Sequence, residues 1–240
     1  MKVIISFHSL DASGSVLSYT QDSFAALLRE LESSALPVLT LDELLMHDTK
    51  RGVSITFDDG MQSVFTEALP ILRDHKLSAH LFLTTSIVGA QNKWRGQPPQ
   101  APVFEMLNWD QLEQLHHGGV RIECHTHTHP DLRQLDIAAI EEECSMADAA
   151  IESAVGRLPQ YFAYPYGYQN QRVREYIGRR YKAAMTTELG WLDGAVDKAS
   201  LPRLDSYYLR GDWIRRNLDG AASRLYLSLR SRLRWIRGTQ

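Results

Sequence analysis

The chain has 240 residues, 44% of them hydrophobic and 23% charged, and a formal net charge of −3. That balance fits one soluble α/β domain with a sizeable core and gives no reason to expect nucleic acid as a partner. Two cysteines, Cys124 and Cys144, exclude a disulfide framework and a zinc knuckle. The opening M-K-V-I-I-S-F-H-S is too short an apolar run for a signal peptide, and no stretch approaches the roughly 20 apolar residues of a membrane span. The expectation is a cytoplasmic protein with free thiols.

In chain order, Lys2–Phe7 reads as a strand buried on both faces, ending at His8. Thr20 or Asp22 caps a helix to about residue 34, with Phe24, Leu27, Leu28 and Leu31 on one face. Residues 37–39 form a short strand, and Thr40 caps a brief helix. Residues 53–60, V-S-I-T-F-D-D-G, alternate apolar and polar and then deliver two carboxylates and a glycine at a strand tip. That is where α/β sheets and barrels place chemistry. Alternation sends successive side chains to opposite sides, so Asp58 and Asp59 are expected to take different roles, one on a cation and one on a proton. Read locally, the pair could equally cap the next helix.

Residues 64–76 read as a helix kinked at Pro70. A strand at 79–84 leads into a long polar loop, 85–108, whose Trp94 and Arg95 are expected to shape a groove. Asn108 or Asp110 starts a helix stopped by Gly118 and Gly119. The strand 120–124 carries H-T-H-T-H-P at its end. Asp136 caps a long helix closed by Gly156, with 141–143 on a solvated face. A strand at 161–163, a helix at 170–181 and strands at 182–187 and 199–204 complete the pattern. Strands alternating with helices mean a mainly parallel sheet, expected over residues 1–208 as a distorted or incomplete (β/α) barrel.

The histidine cluster sets the chemistry. Extended, His125 and His129 would stand ~13 Å apart, too far to share an ion. Wound through one turn they come within ~6 Å, and both rings reach a metal at ~2.1 Å while His127 points elsewhere. The expected site is His125 and His129 with Asp58 or Asp59 as oxygen ligand, leaving open positions for water and substrate. Taken alone, the run could be three surface histidines in a turn; the D-D-G tip argues against it.

T-F-D-D-G at 56–60, H-T-H-T-H-P at 125–130 and F-A-Y-P-Y-G at 162–167 resemble the first three motifs of the polysaccharide deacetylase family, carbohydrate esterase family 4 or the NodB-homology domain. The opening S-F-H-S and the later T-L-D-E-L-L resemble the branch that includes poly-N-acetylglucosamine deacetylases. The resemblance covers about residues 1–205. It implies a distorted (β/α) barrel that removes acetyl groups from an N-acetylated sugar. It also implies Asp58 as catalytic base, Asp59, His125 and His129 as ligands of a divalent metal, commonly zinc, and the Tyr166 backbone N–H as oxyanion donor.

The chain departs from the family twice. It has no histidine after His129, where many members keep the general acid; His8, also at a strand tip, is the expected substitute, as in the resembled branch. Ala163 stands where many members carry an arginine that orients the base. Arg203 could supply that guanidinium, or could pair with Asp193 or Asp197 as a structural bridge. Trp191 could line a pocket for the acetyl methyl or be a core tryptophan.

From residue 210 onward the chain holds eight arginines and two aspartates, a net of +6. Ile214, Leu218, Ala221, Leu225, Leu229, Leu233 and Ile236 recur at helical steps, so 209–240 reads as a basic amphipathic helix. The simplest expectation packs those residues on the barrel with arginines in solvent; the sharper one is a peripheral contact with an anionic membrane or a glycan-assembly partner. Three function classes follow: an N-deacetylase of sugars, another metal amidohydrolase of small amides, and a silent glycan binder. Without a signal peptide, a nucleotide-linked or lipid-linked sugar is a better expectation than an extracellular polymer.

Overall fold

The computed structural model describes residues 1–97, 100–194 and 196–236, with side chains to residue 233. Pro98 and Pro99 of the long loop, the side chains of Arg234 and Ile236, and Arg237 lie outside the described residues. Seven parallel strands close into a barrel. β1 (Lys2–Phe7) is followed by a two-residue parallel pair, β2 (Ser9–Leu10) and β3 (Ser18–Tyr19). The barrel continues through β4 (Gly52–Asp59), β5 (Ala79–Leu83), β6 (Val120–Cys124), β7 (Tyr161–Ala163), β8 (Ala183–Leu189) and β9 (Leu201–Asp205). β9 returns to β1 through the pairs Ile5↔Leu204 and Ser6↔Asp205, so the cylinder is complete with seven strands.

Alternation along each strand builds two layers. Val3, Ile5, Phe7, Val53, Ile55, Phe57, Leu81, Ile122 and Leu204 join the outer core with Phe24, Leu27, Leu28 and Leu31 of α1 (Gln21–Ser33). Ile4, Phe82, Tyr161, Met185 and Leu201 meet inside, closed below by Leu41 and Leu44 of α2 (Leu41–Leu44). The plug α2 starts at a capping box in which Thr40 and Glu43 satisfy each other's backbone N–H. Polar interior groups are paired: His80 Nε2 accepts from Leu41 N–H, and its Nδ1 faces Glu123 Oε1 at 3.1 Å. Glu123 also accepts from the Gln160 and Tyr161 N–H groups. These bonds rigidify the floor and leave the opposite rim for function.

The outer helices begin where side chains can cap them: Thr20 for α1, Asn108 for α4 (Trp109–His117), Asp136 for α5 (Ile137–Val155) and Asn170 for α6 (Gln171–Arg180). The helix expected to kink at Pro70 instead divides into a wide π turn, Val64–Ala68, and α3 (Leu69–Asp74), with the proline in the first turn of α3 where its missing N–H costs least. The strand expected at 37–39 reduces to a single bridge, Val38 to Val53. The C-terminal segment is two helices, α7 (Asp212–Arg216) and α8 (Ala221–Ile236). Ile214, Leu218 and Leu227 enter the outer core. The face expected to pack is only partly the one that does: Leu225, Leu229 and Leu233 are exposed. Periodicity defines a stripe but not which way it points.

Candidate active site

The candidate residues gather at the strand tips. Asp58, at 3% exposure, is gripped by Arg203 of β9, whose Nη1 and Nη2 donate to Oδ1 and Oδ2 at 2.7 Å each. Arg203 Nη1 also reaches Thr56 Oγ1, and its Nε donates to the Thr186 carbonyl. This arginine comes from another strand than the one the third motif offers, and it is buried and fully directed. The alternative partners expected for it are engaged elsewhere, Asp193 by Arg224 and Asp197 by Arg174.

Strict alternation would turn Asp59 away from Asp58. The chain avoids this because Asp59 has φ of +70°, which swings its carboxylate back into the same cleft. Gly60 follows at φ +104°, and a Cβ there would lie 2.6 Å from Leu83 Cδ1, so the turn needs glycine. Thr126 and His129 also have positive φ, at 68° and 59°. These turns coil the H-T-H-T-H segment so that His125 Nε2 and His129 Nε2 lie 3.2 Å apart, at 3.4 Å and 3.5 Å from Asp59 Oδ1. His127 points away, onto Thr85 Oγ1 at 2.8 Å.

The supporting contacts fix ring orientation. His125 Nδ1 donates to the Ala163 carbonyl at 2.7 Å, which leaves Nε2 facing the cleft. Glu143 of α5, expected on a solvated face, instead accepts from the His127 and Thr128 N–H groups and from Thr128 Oγ1, clamping the loop from outside. His129 packs against two aromatic rings, with centroids 4.2 Å from Trp94 and 4.5 Å from Tyr166. Trp94 Nε1 donates to Tyr166 Oη at 2.8 Å, so the long loop is latched across the third motif. Tyr166 has φ of +60°, and Gly167 passes so near Thr187 that a Cβ would lie 2.1 Å from its hydroxyl. Neither Glu143 nor the Trp94 latch has a sequence signal beyond residue type.

His8 stands half-buried just past β1, whose Phe7 pairs with Phe57, so it sits level with Asp58 at the same rim. Trp191 does not join this group. It packs against the outer core with Arg224 5.1 Å over its ring, so the acetyl-pocket expectation gives way to a place in the wall. Cys124 is buried in the core, as its strand position predicts.

Electrostatics separate the groups. Burial pushes Asp58 up, but the Arg203 charge and hydrogen bonds outweigh it and hold the carboxyl below its usual range. Asp59 is likewise raised by burial and then driven far below the usual range by the His125 hydrogen bond and the charges around it. Burial and then the neighbouring His125 push His129 down to about 3, which leaves it neutral, the form that ligates a metal.

These residues fit a cation. One atom from each of Asp59, His125 and His129 lies within 4.8 Å of the others, all three groups are buried, and two imidazole nitrogens face one another. The edges of a tetrahedron with bonds of ~2.1 Å are ~3.4 Å long, which matches the observed spacings. The other ring nitrogen of His129, Nδ1, is buried with no hydrogen-bond partner among the described residues.

A family description, polysaccharide deacetylase, matches residues 46–181, more than half of the chain and all three motifs. The chain belongs to the polysaccharide deacetylase family. Within it, the chain is 26% identical over 211 residues to the poly-beta-1,6-N-acetyl-D-glucosamine N-deacetylase of Staphylococcus aureus, covering 80% of this chain and 66% of that one. The chain spans just under two thirds of the length of the curated relatives it matches first, 64% and 66%. In solved structures the fold resembles the Streptococcus pyogenes deacetylase PplD in complex with acetate, with a TM-score of 0.73, 22% identity, and coverage of 85% of this chain and 91% of that one. It also resembles IcaB from Ammonifex degensii, with a TM-score of 0.72, 22% identity, and coverage of 90% and 97%. At such identities the likeness is one of fold, and it agrees with the expected (β/α) barrel of this family.

Proposed function

We propose that the chain is a metal-dependent hydrolase that removes N-acetyl groups from an N-acetylated sugar in glycan biosynthesis, the sugar being an oligosaccharide or carried on a lipid or nucleotide. The observation that carries this reading is the arginine-fixed carboxylate, Asp58, set beside the Asp59–His125–His129 triangle at one barrel rim. When bound by those three residues, a divalent ion, zinc by choice of its ligands, supplies Lewis-acid chemistry, acidifying water and polarising an amide carbonyl.

The chain's own groups do the rest. Arg203 keeps Asp58 ionised, so Asp58 accepts the proton released as water attacks the acetyl carbon. The Tyr166 N–H donates to the oxygen that gains charge. His8 protonates the nitrogen as the C–N bond breaks, giving acetate and a free amine. Trp94 and Tyr166 shield one side of His129 and narrow the approach.

The test is acetate release from N-acetylglucosamine oligomers, from a nucleotide-linked N-acetyl sugar and from small acyl amides, with metal content measured alongside. Turnover of a sugar, lost on chelation and on His129→Ala by more than ~100-fold and restored to wild type by zinc, supports the proposal. Turnover of small amides alone would assign another amidohydrolase, and bound metal with no turnover on any amide would assign a silent binder.

A further inference from the structure

The C-terminal helices offer a surface that the barrel does not use. The side of α8 that faces inward carries Ser223 and Leu227, both fully buried. Arg224 lies over Trp191 and pairs with Asp193 at 2.6 Å, while Arg230 lies 5.4 Å over Tyr208. On the outward side Leu225, Leu229 and Leu233 are 64%, 51% and 44% exposed and stand one turn apart. Trp213 of α7, 52% exposed, meets the Tyr226 ring edge-on at 6.2 Å and widens the patch. At about 100° per residue, Arg232 and Tyr226 fall on either flank of the leucine row. The stripe thus has apolar residues at its centre and an exposed arginine at its edge.

Charge decides what covers it. Residues 210–240 carry +6 in a chain whose total is −3, which leaves −9 on the remaining residues. No acidic residue follows Asp219. A second copy meeting this face through a two-fold contact would set one arginine-rich segment against another. Within the segment Arg215, Arg216 and Arg224 already pair with Asp212, Glu30 and Asp193, while Arg232 stands exposed beside the leucine row. An anionic bilayer accepts both parts: leucines and aromatic rings enter the interface, and Arg232 meets phosphate groups. Among the described residues no helix is long and apolar enough to cross a membrane, so the contact is one of a helix lying in the surface plane.

We infer that the outward face of α7 and α8 docks the protein on an anionic lipid surface. The inference stands apart from the reaction proposed above. Arg230 stacks on Tyr208, in the turn Ser206–Leu209 that leaves β9 at the catalytic rim, so a docked α8 stands beside that rim.

Removing 211–240 is a poor test, because Ile214, Leu218 and Leu227 belong to the core. The full chain should instead be floated with vesicles of phosphatidylcholine alone or with about 30% phosphatidylglycerol, the anionic surface the arginines require. The comparison is with L225S/L229S/L233S, three exposed positions whose replacement leaves the circular dichroism spectrum unchanged. The expected result is roughly tenfold more binding to anionic than to neutral vesicles at low salt, cut about tenfold by the triple substitution and strongly reduced in ~1 M salt. Absence of binding, or binding that the triple substitution leaves intact, overturns the inference. So does a dimer in sedimentation that the triple substitution dissolves, since it would give the face to a second copy.

Discussion

Arg203 on β9 reaches past β1 to Asp58 at the tip of β4 and holds both carboxylate oxygens at 2.7 Å. Both residues are buried, so neither charge has water to fall back on. Arg203→Met should lower kcat by about 100-fold or more, with KM changed little, because the base of the proposed reaction loses its orientation and its fixed charge. It should also lower unfolding stability by roughly 3–5 kcal/mol, the usual cost of stranding one partner of a buried pair. The double change D58N/R203M should recover much of the stability and none of the activity. Stability is read by denaturant unfolding, and equal stability of R203M and wild type would deny the pairing its weight.

In the proposed reaction His8 gives the departing amine its proton. His8→Ala should retain metal and fold while lowering kcat on an N-acetylglucosamine oligomer by about 10²–10⁴. With 4-nitrophenyl acetate, whose phenolate leaves without a proton, the loss should shrink below about tenfold. Equal losses on both substrates would mean that His8 acts through structure and not as an acid.

Asp42 gives the fold an acid limb. Burial raises its pKa, but hydrogen bonds from Lys182, Tyr161 and Arg121 outweigh burial and bring it to about 2 from the usual 3.8. As pH falls the unfolded chain therefore takes up this proton first. The stabilisation is complete above about pH 4 and is lost as pH falls through about 2, and partial exposure keeps it modest. Asp42→Asn should make urea midpoints fall less steeply than wild type between about pH 4 and 2. Parallel curves for the two proteins would remove Asp42 from the acid response.

Local patterns made much of this visible beforehand. Asp58, Asp59, His125 and His129 sit in short runs at strand ends, and a run fixes the spacing of its members. Helix starts were readable to within two residues, since Thr20, Asn108 and Asp136 cap for reasons confined to four residues. What escaped depends on closure of the barrel. Arg203 could be offered as a guanidinium, but its choice of Asp58 over Asp193 or Asp197 needs β9 to lie beside β1. Glu143 reads as one more solvated acid until the histidine loop presents its N–H groups. Trp191 and the leucines of α8 share one cause: composition marks them as apolar, while their partners are decided by which face of a helix meets the wall.

The positive φ angles of Asp59, Thr126, His129 and Tyr166 were also beyond the sequence, because residues with a Cβ seldom adopt them. Four of the six such residues in the described chain lie around one cleft. Each costs of order 1–3 kcal/mol, and only rigid surroundings sustain it.

The seam between the first and last strands of the cylinder consists of two residue pairs, and the Arg203–Asp58 grip passes directly across it. Without the final strand Asp58 has no guanidinium to fix its bearing, whereas Asp59, His125 and His129 all lie on earlier parts of the chain. In the proposed reaction, then, the contact made as the cylinder shuts is also the one that sets the proton acceptor in place.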